Sequence, residues 1–291
     1  MGKMNKTVLI TGASAGLGLE TALLFAGNAY KVYAGMRNTA KQDALLSEAS
    51  KRNVAVEVTE MDVCNVSSIE NAVQYMLSRE NKIDILINNA GAGFAKTTEH
   101  ASDEEIRWVM ETNYLSVVRC TKAVLPAMRK QRSGHIINIS SVGGLVGQPF
   151  NELYCAAKFA VEGYTEALAT YLPQTFNIKF TVVEPGGIAT GFGKSATQKT
   201  LGAGLPDDEY LPVIQKYISG MQKRASSGES QTYQQPGEVA QVILDIALSG
   251  KNIIRTRTSE WAENLCSYKT QADLTGNLQN EKIIKQFLGD E

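Results

Sequence analysis

Short apolar runs punctuate the chain, and segments with helical spacing separate them. Residues 7–10 (TVLI), 31–35 (KVYAG), 54–58 (VAVEV), 83–87 (IDILI), 136–139 (IINI) and 180–183 (FTVV) each read as a strand. A seventh strand falls near 252–256. Helical patterns lie between them, at 19–25, 67–79, 104–112 and 115–130. Leu19, Ala22, Leu23 and Ala26 share one side of the first, and Ser67, with Glu70 three residues on, reads as the N-cap of the second. Further helices are expected at 154–158, 211–223 and from Pro236 to about residue 248. This alternation predicts an α/β fold: one Rossmann-type, doubly wound, mainly parallel sheet of about seven strands, flanked by helices, as a single domain over 1–291.

The alternation breaks at 191–235, which is rich in Gly, Ser and Gln and reads as a helical substrate lid. A peripheral helical hairpin fits the same residues. The extension at 257–291 is mixed and mostly polar, and its pattern assigns no element.

Composition narrows the function. A net charge of -1 gives no general pull toward nucleic acid or anionic lipid. Lys3 and Lys6 precede an apolar stretch, but glycines and Glu20 interrupt it and no cleavage site follows. No run is long enough for a membrane span. The four cysteines are far apart with no CxxC pair, as in a reduced compartment. His100 and His135 are not spaced as ligands, so no metal is expected. A soluble, cytoplasmic protein is predicted.

Candidate chemistry starts at Thr11-Gly12-Ala13-Ser14-Ala15-Gly16-Leu17-Gly18, between the first strand and the first helix. Such a turn lets backbone approach a pyrophosphate, and the helix N-terminus favours an anion. A tight turn needing glycine for backbone reasons fits too. The second strand ends in Met36-Arg37, with no carboxylate for ribose hydroxyls and a guanidinium suited to a 2′-phosphate. Ser14 adds a hydroxyl. NADP(H) is therefore expected over NAD(H), the competing reading being a solvated Arg37. Asp62, before Val63, is placed to accept from an adenine amino group. Asn88-Asn89-Ala90-Gly91 closes the fourth strand with small and amide groups that suit a cofactor crevice, or a plain turn. Asn113 interrupts a helical pattern, which marks a kink or a backbone opening.

Tyr154 and Lys158 lie four apart, on one helical face. An ammonium beside the phenol favours phenolate and lowers its pKa, so the group can trade a proton with a substrate oxygen. A surface tyrosine and a solvated lysine have the same spacing. Hydride transfer needs a cofactor, since no side chain supplies hydride. It also needs donors where negative charge develops, and Tyr154 and Ser141 can supply two. Ser141 has no histidine base and no nucleophile elbow, which sets a serine hydrolase aside.

These residues together resemble the short-chain dehydrogenase/reductase superfamily in its core form, over roughly residues 5 to 256. The lid and extension look similar to its hydroxysteroid- and retinol-dehydrogenase-like branch. The resemblance implies that Tyr154 is the general acid/base. Lys158 would lower its pKa and bond the nicotinamide ribose, and Ser141, thirteen residues before Tyr154, would orient the substrate oxygen. Asn113 would hold a relay water. Gly12, Ser14, Gly16, Leu17, Gly18, Arg37, Asp62, Val63, Asn89, Ala90, Gly91, Pro185 and Gly186 would line the cofactor site, with Ile188 and Thr190 at the carboxamide. It also implies a homodimer or homotetramer pairing through helices near 105–130 and 152–172. The function expected is an oxidoreductase interconverting an alcohol and a ketone or aldehyde on a small lipophilic substrate. The alternatives are a cofactor-binding redox sensor or scaffold, and a dehydratase or epimerase using the same site.

Overall fold

The computed structural model describes residues 6–193, 207–226 and 233–288, without side chains for 221–226 and 288. Much of the predicted lid, at 194–206 and 227–232, lies outside the described residues.

Strands β1 (Thr7–Thr11), β2 (Lys31–Met36), β3 (Val56–Glu60), β4 (Ile85–Asn88), β5 (Gly134–Ile139) and β6 (Ile178–Glu184) alternate with helices. These are α1 (Gly16–Gly27), α2 (Asp43–Lys51), α3 (Val66–Glu80), α4 (Asp103–Met110), α5 (Ser116–Gln131), α6 (Glu152–Ala169) and α7 (Leu172–Phe176). Next come β7 (Gly187–Ile188), α8 (Leu211–Ser226), β8 (Tyr233–Gln234), α9 (Pro236–Ser249), β9 (Arg255–Arg257), α10 (Glu260–Thr270) and α11 (Asn277–Leu288). Seven parallel strands form one sheet in the order β3-β2-β1-β4-β5-β6-β9, and β7 pairs with β8 in a separate ribbon. The order reverses between β1 and β4, which opens a crevice at the carboxyl ends of the strands.

Both faces of the sheet are covered, as parallel strands require. Val8 and Ile10 of β1 point to one layer with α1 and α9, and Leu9 points to the other with α3, α5 and α6. A buried polar ladder ties β4 to α6: Asn88 Nδ2 donates to Asn138 Oδ1, and Asn138 Nδ2 donates to Thr165 Oγ1, each at 2.8 Å.

Several boundaries differ from the sequence reading. β3 begins two residues later than expected, because the Val54 amide closes α2 by donating to the Ala49 carbonyl. The N-cap of α3 is Asn65, whose side chain accepts from the Ser68 amide, and not Ser67. The helix around Asn113 opens into a π-turn, Glu111–Leu115. The extension, unassigned by its pattern, forms α10 and α11. Ser259 caps α10, and Ala262 and Cys266 bury against Val142 and Leu145.

Candidate functional site

The carboxyl ends of β1, β4, β5 and β6 bring most of the candidate residues together. Gly12 sits at φ +69°, and a Cβ there would fall 2.9 Å from the Ala90 Cα. One at Gly18 would fall 2.4 Å from the Gly12 oxygen, and one at Gly16 3.2 Å from the Thr190 methyl. The glycine turn is therefore pressed between the β4 and β6 loops, and only glycine leaves room for a ligand's phosphates. Helix α1 opens after Ala15 with no capping side chain and no acidic residue in its first turn. Its first amides suit an anion, so the residues fit a dinucleotide. Ser14 is partly exposed beside this turn, and Leu17 is buried under it.

Asn89 is committed to the scaffold. Its side chain donates to the Thr11 oxygen at 2.9 Å and to the Gly12 oxygen at 3.2 Å, while Thr11 Oγ1 accepts from the Asn89 and Ala90 amides. Arg37 stands exposed at the end of β2, with no ion-pair partner among the described residues. Asp62 follows β3, and its Oδ1 accepts from the Cys64 amide. Val63 is buried beside it. Pro185 and Gly186 follow β6, and the Pro185 oxygen accepts from the Val142 amide. Ile188 enters the ribbon, and Thr190 turns back over Gly16.

Helix α6 buries a stripe comprising Cys155, Lys158, Val161, Glu162, Thr165 and Leu168–Ala169, the spacing of one helical face. That stripe carries Lys158 inward. Its Nζ donates to the Ile139 oxygen at 2.9 Å and stands 5.7 Å from the Tyr154 ring centroid. A Cβ on Gly143 would touch both Ser141 Oγ, at 3.4 Å, and the Tyr154 ring, at 3.5 Å. Ser141 caps the 3₁₀ turn Val142–Gly144, its Oγ accepting from the Gly143 amide at 3.0 Å. Asn113 is fully buried. Its amide donates to the Ala92 and Val109 oxygens and accepts from the Ala92 amide, which fixes the loop after β4. A Cβ on Gly91 would meet Asn113 Oδ1 at 3.0 Å and Lys158 Nζ at 3.7 Å, so these three residues converge.

One expectation is reversed. Burial pushes the Tyr154 phenol up to about 12, with the nearby Ser141 hydroxyl pulling it partly back. Its ring is partly exposed, but the hydroxyl end is desolvated by dense protein. Burial pushes Lys158 down to about 8, with Glu162 opposing. Helical spacing places the cation next to the ring but does not report desolvation, which here outweighs it.

Phe192 meets the Tyr154 ring edge-on at 6.1 Å, and Leu145, Val146 and Trp261 cluster behind the Ser141 turn. Sequence reasoning missed these apolar groups. Their one signal is a tryptophan in an otherwise polar extension. Among the described residues no cluster of His, Cys, Asp and Glu could hold a metal, and no helix is long and apolar enough to cross a membrane.

Known proteins resemble this chain over most of its length. The family model for short chain dehydrogenase matches residues 6–201. The chain is 37% identical over 288 residues to the human protein named retinol dehydrogenase 8, covering 94% of this chain and 87% of that protein. It is 34% identical over 263 residues to human 17-beta-hydroxysteroid dehydrogenase type 1, covering 87% and 77%. Among solved structures, a variant of actinorhodin polyketide ketoreductase with NADPH superimposes with a TM-score of 0.76. It is 28% identical and covers 89% of this chain and 98% of that one.

Proposed function

Because this chain belongs to the short-chain dehydrogenase family, in its hydroxysteroid- and retinol-dehydrogenase-like branch, we propose that it is an NADP(H)-dependent oxidoreductase in which Tyr154 moves the proton. The observation that carries this reading is the position of Tyr154, whose ring meets Ser141 at the Gly143 turn and has Lys158 Nζ 5.7 Å from its centroid. A nicotinamide held there would supply or accept the hydride. The chain's own residues do the rest. Ser141 and Tyr154 give two hydrogen bonds to the substrate oxygen, where charge develops. Tyr154 donates its proton in the reducing direction and takes it back in the other. Lys158 holds positive charge beside the phenol and stabilises the phenolate left behind. Asn113 holds the loop that keeps Gly91 close to Lys158. Arg37, exposed and without an ion pair among the described residues, suits a 2′-phosphate, and this supports NADP(H) over NAD(H).

Phe192 lies edge-on to the Tyr154 ring, and this apolar neighbour supports a lipophilic ketone or alcohol as substrate. Exposed Leu115 just before α5, Phe159 on α6 and Tyr171 just after α6 support pairing of copies of the chain.

Tyr154→Phe tests the reading. Ketone-dependent NADPH oxidation should fall by about 10²- to 10⁴-fold, while NADPH binding, followed by cofactor fluorescence, persists. Turnover near the wild-type rate would remove Tyr154 from the chemistry.

A further inference from the structure

Behind the Tyr154–Lys158 pair lies a group of acids that the proposed reaction does not use. Glu162 is one helical turn beyond Lys158 on the buried stripe of α6, and only 5% of it is exposed. Glu184, at the end of β6, is fully buried. A lysine and a glutamate four apart on a helix ordinarily pair. Here no ion pair joins them: Lys158 spends its hydrogen bond on the Ile139 oxygen, and neither Glu162 oxygen has a hydrogen bond of good geometry.

The surrounding charges explain this. Arg257 of β9 already serves two carboxylates, with Nη1 3.0 Å from Glu184 Oε2 and Nε 3.0 Å from Glu263 Oε2. Arg255 is turned to Glu166 at 3.8 Å. Cys266 of α10 faces the same acids as a buried thiol. Lys158 lies one turn away on the same stripe, and among the described residues it forms no ion pair with Glu162. Burial and then the neighbouring Glu184 charge hold the Glu162 carboxyl well above the usual carboxylate range. Glu162 also supports the Ser141 turn. A Cβ on Gly144 would fall 2.8 Å from Glu162 Oε1 and 2.5 Å from Ser140 Oγ.

We propose that Glu162 is a positioning residue for Tyr154 and Lys158: it is held as the neutral acid, so that Lys158 is not captured in a buried ion pair. An ionised Glu162 would draw the ammonium one turn back along α6, away from the phenol. The neutral acid lies against the Gly144 turn without competing for the lysine's charge. This rests on the proposed oxidoreductase reading for its consequence in turnover, but the protonation state stands apart from it.

Infrared spectroscopy of the resting full-length chain tests the protonation. The wild type should show the carbonyl stretch of a buried protonated carboxyl, and Glu162→Gln should remove it. Absence of that band from the wild type, or its survival in Glu162→Gln, overturns the proposal. Turnover then tests the positioning. Glu162→Ala should lower kcat about tenfold or more with a smaller change in ketone KM, and Glu162→Gln should restore most of that loss. If Gln is as poor as Ala, a charged Glu162 is required and the proposal fails. If Ala matches the wild type, Glu162 positions nothing. Should Ala not fold, the band and the Gln variant decide alone. A failure of the oxidoreductase reading appears separately, as a wild type that shows no ketone-dependent NADPH oxidation whatever the carboxyl band does.

Discussion

Lys158 Nζ stands 5.7 Å from the Tyr154 ring centroid while its hydrogen bond goes to the main-chain oxygen of Ile139. The cation is held by the backbone of β5, next to the phenol, in a buried place that disfavours its charge. Because its folded value, about 8, lies below the unfolded one, the cost is full below about pH 8 and disappears as pH rises through the unfolded value.

Lys158→Met should therefore stabilise the protein near neutral pH, by about 2 kcal/mol. Relief of desolvation gives about 3 kcal/mol, and the lost hydrogen bond takes back about 1. Activity should disappear. Urea unfolding of both proteins at neutral pH checks the sign, and a less stable variant would refute it.

Arg37→Asp should weaken NADPH by about tenfold or more relative to NADH, since it replaces an exposed guanidinium by a charge that repels a 2′-phosphate. Titration of each cofactor against both proteins measures the ratio. An equal loss for the two would mean that Arg37 does not face the phosphate.

His135 is buried, with Nε2 2.9 Å from Thr181 Oγ1, and burial followed by the Lys179 charge pushes it down to about 3. A base held below its ordinary value contributes stability that is present above about pH 6.5 and is lost as pH falls toward 3. At about pH 4.5 the loss from this one residue is about 3 kcal/mol. His135→Gln keeps a donor for Thr181 and should unfold less steeply with acid. Denaturant midpoints at about pH 7 and pH 4.5 read the difference, and parallel losses in both proteins would clear His135 of the effect.

Gly18→Ala places a methyl 2.4 Å from the Gly12 oxygen and 2.5 Å from Asn89 Nδ2. Backbone must move, at a cost of about 2 kcal/mol, and the glycine turn should lose its grip on nucleotide. Thermal unfolding together with cofactor fluorescence tests both, and retention of wild-type affinity would show that the turn does not hold the pyrophosphate.

Much of this was legible in the chain. β1, β2, β5 and β6 were readable because buried parallel strands are continuous apolar runs, and the candidate residues fall where those runs end. Asn113 showed itself as a poor helix interior residue, and the structure answers with a π-turn. The Tyr154–Lys158 spacing gave proximity but the wrong sign for the phenol, because burial depends on what the rest of the chain packs over α6. Glu162 was missed for the same reason. It sits on the same stripe as Lys158, but only the fold brings Glu184 beside it. Trp261, Ala262 and Cys266 were illegible locally, since their partners, Val142 and Leu145, belong to a distant turn.

The margins of the sheet have a consequence for behaviour in a crowded solution. β3 at one side bears Glu57 and Glu60, and the three-residue β9 at the other bears Arg255 and Arg257. A margin with free amides and carbonyls is a template for strand addition, and short or charged outer strands deny it. The protein should thus resist growing into fibrils by edge-to-edge stacking, even when concentrated.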